Sequence, residues 1–325
     1  MNSKIDQAKE TLVKHINSQK SYQQKLDELN KIIDYLHNQL EHTQLEELQE
    51  DKEYPISVLS WNLKGVTRSS TQSIKKIASL IQYVNADIIC LQEINNKEKE
   101  DAQTNYESVV SQIIQLQESD KWAFEEIKAG RGFQYTETSS IIYNKKKLKK
   151  ISDVELDEKK FIQFARTPQI IQFKILKSNL VFSVSNFHIK DGSSDEQKMH
   201  DELSQLKGIS DSLLKQDNQF NLLVGDFNYE FIDDESFSEY FKKIPFYCVP
   251  KNTMVRSQKC FDQIFAVSNK LEIKFLPIEI EKELTQLTNK QQVSDHYPLA
   301  SKFKISSITK GSKEIISSDQ KIIKK

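Results

Sequence analysis

From Pro55 onward the chain alternates between short runs rich in Ile, Val, Leu and Phe and longer segments whose apolar residues fall three and four apart. This mixture of strand and helix periods in one stretch leaves few architectures open. Each strand must bury a face and each helix a stripe, and both needs are met by stacked layers around a shared core. The strand candidates are 56–63, 87–91, 139–143, 169–176, 180–188, 221–224, 261–267 and 299–305. Runs 169–176 and 180–188 read as a hairpin closed around Ser178-Asn179. One helix is expected over 73–84, with Ile74, Ile77, Ile81 and Val84 on one face, and another with Met199, Leu203, Leu206, Ile209 and Leu213 turned inward. The expectation is one layered α/β domain over residues 54–305.

Residues 1–53 have a different texture, with no proline or glycine. Leu26, Leu29, Ile33, Leu36 and Leu40 form one apolar seam, which fails at Thr43 and Glu47. An N-terminal helical or coiled extension is therefore expected, with the helix at 22–41 lying on the main domain, on a protein partner or on a second copy. Tyr54-Pro55 closes it, because proline disfavours a helical residue before it. The tail 306–325 is polar and lysine-rich and is expected to be flexible.

Charge excludes one class of function. With 46 basic and 47 acidic residues the formal net charge is −1, whereas a general nucleic-acid coat protein presents a basic excess. A cleft carrying its own metal stays open as a phosphate-binding solution. No run reaches the roughly 18 apolar residues of a membrane span. Three cysteines, Cys90, Cys248 and Cys260, show no metal-ligand spacing, and no apolar signal-peptide core follows the start. An intracellular setting, nuclear or cytoplasmic, is expected.

The informative residues stand at strand ends, where a rigid sheet aims side chains and loops leave room for a ligand. In order they are Ser60-Trp61-Asn62, Leu91-Gln92-Glu93, Asn186-Phe187-His188, Gly225-Asp226-Phe227-Asn228, Phe261-Asp262 and Ser294-Asp295-His296-Tyr297-Pro298. Taken singly, each has a plain reading as a turn former, a packed histidine or a surface charge. As an ordered set, with Ala165-Arg166-Thr167-Pro168 between, they resemble the endonuclease/exonuclease/phosphatase superfamily over nearly all of 54–305. The resemblance implies an α/β (α+β) four-layer sandwich: two packed mixed β-sheets flanked by helices, with the site at one end. Tyr135-Thr136-Glu137 is similar to the deoxyribonuclease I-like nucleases, as is the spacing of Thr253 and Asp262. Lys259-Cys260-Phe261-Asp262 departs from the Trp-Cys-Asp-Arg of inositol-phosphatase branches. Ile94-Asn95 after Glu93 departs from the Thr-Lys of abasic-site repair enzymes.

The resemblance implies a Mg2+-dependent phosphodiesterase, Mn2+ or Ca2+ being alternative ions, acting on nucleic acid and above all on DNA. Glu93 is the expected principal metal carboxylate, with Asn62 beside it and Asp295 as a second contact, since Mg2+ takes oxygen ligands. His296, partnered by Asp262, is the expected general base, because a carboxylate on one ring nitrogen raises the basicity of the other. Asp226 and Asn228 would place the attacking water. His188, oriented by Glu137, would give a proton to the leaving oxygen. Arg166 offers a forked donor to phosphate, and Tyr135 and Thr253 add neutral hydrogen bonds. Five lysines in 145–150 form either a solvated turn or a patch that steers a phosphate backbone. Two other functions fit the same motifs: an inositol-phosphate or lipid phosphodiesterase or phosphatase, and a non-catalytic subunit docked through the N-terminal helix.

Overall fold

The computed structural model describes residues 55–67, 69–96, 107–117, 120–129, 137–157, 159–161, 163–216, 218–231, 259–268, 271–278, 280 and 293–307. The expected helix at 22–41, Tyr135, Thr253 and the tail beyond 307 lie outside these residues.

Among the described residues the strands are β1 (Ile56–Thr67), β2 (Ile88–Asn95), β3 (Trp122–Lys128), β4 (Glu137–Asn144), β5 (Leu148–Asp153), β6 (Gln169–Ile175), β7 (Val181–His188), β8 (Phe220–Asp226), β9 (Asp262–Val267), β10 (Leu271–Pro277) and β11 (Leu299–Ser307). The helices are α1 (Thr71–Val84), α2 (Val109–Gln115), α3 (Glu196–Ser204) and α4 (Leu206–Leu214). A six-stranded sheet runs β10-β11-β1-β2-β4-β3 and a five-stranded one runs β5-β6-β7-β8-β9. Each contains one parallel pair, β1 with β2 and β7 with β8, among antiparallel neighbours, so both sheets are mixed.

Strand alternation sorts the side chains into layers. Leu59, Trp61 and Leu63 of β1 and Ile89 and Leu91 of β2 pack under α1 and α2. Phe187 of β7, Leu223 of β8 and Phe265 of β9 pack under α3 and α4. The alternate residues face the other sheet. Away from the polar strand ends that gap is filled by aromatics: Tyr143 meets Phe173 with centroids 4.9 Å apart, Phe182 stacks on Phe220 at 4.6 Å, and Phe220 meets Phe303 edge-on at 6.3 Å. Toward those ends the filler becomes polar. Gln92 Nε2 donates across the gap to Asn186 Oδ1 at 2.7 Å, and Asn186 Nδ2 donates to the carbonyls of Leu91 and Ser140, both at 3.1 Å. Buried amides bonded this way tie the two sheets in one register directly beneath the site.

Four elements lay beyond the sequence expectations: α2, β3, β5 and β10. The single helix expected to carry Met199 through Leu213 is two, because Gln205 N–H bonds the carbonyl of Glu202 three residues back and interrupts the i→i−4 pattern there. Its apolar stripe nevertheless stays on one side, with Met199, Leu203, Leu206, Ile209 and Leu213 all in the core.

Candidate active site

Two backbone irregularities present the site residues. The β1–β2 register breaks between Asn62 and Val66, and the β2–β4 register between Leu91 and Ile94. Within these bulges Lys64 (φ 48°), Gly65 (φ 73°) and Glu93 (φ 51°) take left-handed conformations. For a side chain such as that of Glu93 this costs roughly 1–2 kcal/mol. Strain of this kind persists where surrounding contacts over-determine it, and it gathers at functional positions. Here Asn62 Nδ2 holds Glu93 Oε1 at 2.8 Å. On the other sheet Gly225 (φ 140°) lies opposite Phe187, where a Cβ would come within 2.0 Å of the Phe187 carbonyl oxygen. Only glycine lets β8 run that close to β7 and carry Asp226 to the place beside His188.

Asp226 is the centre of the constellation. Its Oδ2 accepts from Asn62 Nδ2 at 2.9 Å and lies 3.8 Å from His188 Nε2 and 3.6 Å from His296 Nε2. Each imidazole is held from behind by its own carboxylate: His188 Nδ1 meets Glu137 Oε1 at 2.5 Å, and His296 Nδ1 meets Asp262 Oδ2 at 2.8 Å. Both Nε2 atoms therefore converge on one oxygen of a single carboxylate. His188 Nε2 also lies 3.5 Å from Glu93 Oε1. The loop carrying His296 is pinned to β1, since Ser294 Oγ donates to the Asn62 carbonyl at 2.6 Å and Trp61 Nε1 to the His296 carbonyl at 3.0 Å.

Electrostatics follow from the acids. Burial opposes a charge on His188, but the Glu137 hydrogen bond and the Glu137 and Asp226 charges outweigh it and raise its pKa. Burial likewise works against the Glu137 carboxylate, yet His188 and Arg166 together bring it below its ordinary value. His296 is pushed up to about 9, burial being overcome by Asp262, Asp226 and Asp295.

The structure thus brings Asn62, Glu93, Glu137, His188, Asp226, Asp262 and His296 into one cluster. Arg166 joins it from the side, donating Nε to Glu137 Oε2 at 2.7 Å and Nη1 to the Ile189 carbonyl at 3.3 Å. Asn228 braces it, its N–H donating to Asp226 Oδ1 and its Nδ2 to the Ile189 carbonyl, both at 2.9 Å. Asp295 stands apart: its carboxylate pairs with Lys64 Nζ. Two donor sets could hold a cation, Glu93 with His188 and Asp226, and Asp226 with Asp262 and His296, each with its ligand atoms within 4.8 Å of one another. The Glu93 and Asp226 oxygens suit a hard cation such as Mg2+. Asn62 points its amide nitrogen at both carboxylates, while its oxygen accepts from Lys64 N–H at 2.9 Å. Glu202 escaped the sequence reading. The signal was there, a carboxylate among the inward positions Met199, Leu203 and Leu206.

Comparison with known proteins agrees with this architecture. Truncated TDP2 of Caenorhabditis elegans superposes with a TM-score of 0.55 at 18% identity, covering 77% of this chain and 98% of that one. A mannosyl-6-phosphatase of Bacteroides thetaiotaomicron gives 0.55 at 17% identity, with 77% and 99% covered. ANGEL2, a 2′,3′-cyclic phosphatase crystallised with adenosine-2′,3′-vanadate, gives 0.54 at 17% identity, with 78% and 97% covered. At such identities these structures share the fold. No curated protein sequence matches the chain. Residues 59–296 match the Endonuclease/Exonuclease/phosphatase family, a stretch that contains the whole constellation from Asn62 to His296. The chain belongs to that family, whose members are hydrolases acting on phosphoester bonds.

Proposed function

We propose that this chain is a Mg2+-dependent phosphodiesterase whose substrate is DNA, cut endonucleolytically to leave 5′-phosphate and 3′-hydroxyl ends. One observation carries the reading: two histidines, each anchored through Nδ1 by its own acid, aim Nε2 at the single carboxylate of Asp226, beside Glu93. In-line hydrolysis of a phosphodiester needs a base for water, a proton for the leaving oxygen and neutralisation of the phosphoryl charge. Two oriented imidazoles beside one anionic centre can supply the first two.

In this proposal the neutral form of His296, which the surrounding acids disfavour below about pH 9, takes the proton of the attacking water, Asp262 fixing its tautomer, and Asp226 with Asn228 holds that water in line. His188, held by Glu137, gives its proton to the departing oxygen. Arg166 hydrogen-bonds a phosphoryl oxygen, and Tyr135 and Thr253 add neutral donors. Glu93 would hold Mg2+, Asn62 joining it only on turning its amide oxygen away from the Lys64 N–H, and Asp295 would reach it only on leaving Lys64 Nζ. When bound, the ion neutralises charge on the phosphoryl oxygens. The Tyr135-Thr136-Glu137 sequence and the absence of a Trp-Cys-Asp-Arg sequence at 259–262 favour DNA over a phosphoinositide.

Plasmid nicking tests this. His296→Ala and Glu93→Ala should each lower Mg2+-dependent nicking at least about a hundredfold with the fold retained. Activity close to the parent's in both purified variants would falsify the assignment. A panel of plasmid, single-stranded oligonucleotide and inositol phosphate, each with Mg2+ and with chelator, separates DNA from the other substrates of this fold.

A further inference from the structure

Helix α3 buries a carboxylate that the chemistry above leaves unused. Glu202 is fully buried, beside Met199 and Leu203. Both of its oxygens are taken by backbone: Oε1 accepts the Ala165 N–H at 2.6 Å and Oε2 the Lys190 N–H at 2.8 Å. These two amides belong to the segments that flank the site. Ala165 immediately precedes Arg166. Lys190 follows Ile189, whose carbonyl accepts both Arg166 Nη1 and Asn228 Nδ2 and whose N–H donates to the Asp226 carbonyl at 2.9 Å. One turn earlier on α3, Lys198 Nζ donates to the Gln163 carbonyl. Helix α3 therefore grips the chain just ahead of Arg166 at two points, and through Glu202 it ties that chain to the exit of β7.

We infer that Glu202 is a positioning residue: it clamps the Arg166 and Lys190 segments together and so sets the guanidinium–Glu137–His188 chain that aims His188 Nε2 at Asp226. It touches no substrate and acts through Arg166 and Ile189. A carboxylate is needed because both of its oxygens accept, whereas the glutamine amide satisfies one N–H and turns a second donor toward the other. This inference rests on the phosphodiesterase reading of the site.

The closing experiment is a cycle with the full chain, plasmid substrate and Mg2+. Glu202→Gln should lower kcat at least about tenfold in the parent background. In an Arg166→Ala background the same change should cost a clearly smaller factor, about threefold or less, since one of the two groups it acts through is gone. Equal losses in both backgrounds, or no loss in either, overturn the inference, because a purely structural role lowers both alike. Amide exchange gives a readout independent of turnover. The Ala165 and Lys190 amides should both be protected in the parent, and the one left facing the amide nitrogen should exchange at least about tenfold faster in Glu202→Gln. Free exchange at these two amides in the parent overturns the clamp, even where Glu202→Gln does not accumulate as folded protein. A parent chain that nicks no plasmid in Mg2+ refutes the proposed function instead, and the exchange measurement still decides whether Glu202 holds the two segments.

Discussion

At the scale of single residues, His296 offers the most direct measurement. Its folded pKa of about 9 stands above the ordinary 6.5 because Asp262 bonds Nδ1 and Asp226 and Asp295 add negative charge. Between these values the folded chain binds the proton that the unfolded chain has released. The imidazolium thus contributes stability that is fully present below about pH 6.5 and is lost as pH rises through about 9. In chelator, the stability difference between the parent and His296→Gln should shrink from about pH 6 to about pH 10, read by denaturant unfolding. A divalent cation against Asp226 cancels part of the charge that holds this proton. Imidazole NMR should therefore show the His296 midpoint near 9 in chelator and lower in Mg2+; an unmoved midpoint would place the cation elsewhere. That Glu93 adopts a left-handed backbone was not legible in its one-letter context, since the bulge comes from how β2 meets β1 and β4. Asp226 and His188 were legible because they end strands whose apolar runs are easily recognised, and Asn62 because the apolar run that opens β1 breaks near it.

At the scale of elements, the lysine run 145–150 changes meaning. Lys145–Lys147 turns the chain between β4 and β5, at the end of β4 opposite to Glu137. Seven residues of strand separate Glu137 from Asn144, about 23 Å. That is well over two screening lengths at physiological salt, about 8 Å each. Three of its five charges are also engaged: Lys147 with buried Asp87 at 2.8 Å, Lys146 with Asp120 at 2.5 Å, and Lys150 with Glu125 at 2.9 Å and Asp153 at 2.8 Å. The turn reading holds over the steering one. Replacing Lys145, Lys146 and Lys149 by Gln should leave the slope of DNA affinity against salt unchanged. A fall of about one per lysine would instead reveal phosphate contacts. Two of the strands missed in the sequence share a physical cause. β3 carries Glu125, Glu126 and Lys128 and lies at a sheet edge, and β5 carries Lys149, Lys150 and Asp153 at another. Edge strands keep their identity through pairing while their exposed positions turn charged, which dilutes the apolar pattern.

At the scale of the molecule, two sheets and their covering helices make a scaffold whose polar end is the site. First-sheet strands supply Asn62, Glu93 and Glu137, and second-sheet strands supply His188, Asp226 and Asp262. Their geometry therefore depends on how the sheets are held, by the Phe182–Phe220–Phe303 stack at one end and the Gln92–Asn186 bond at the other. All of these residues lie beyond residue 54. Removing 1–52 should leave plasmid-nicking kcat within about twofold, because no residue of the constellation is lost. If the seam at 22–41 docks a protein or a second copy, the same truncation should lower the mass in solution by more than the deleted segment, read by light scattering. A large loss of turnover would instead make that segment part of the catalytic unit.

The sequence by itself determined the layers and the cast. Period-two and helical apolar patterns follow from local geometry, and polar residues closing those runs announce a strand-end site whichever way the strands pair. Tertiary structure alone decided how the cast is deployed. Sheet order brought Glu137 to His188 and Asp262 to His296, the bulges turned Glu93 inward, and α3 placed Glu202 under two segments distant in the chain. Such contacts join residues tens to hundreds of positions apart, for example Trp61 to the His296 carbonyl across 235 residues. They arise from packing one sheet on another, which no local pattern encodes.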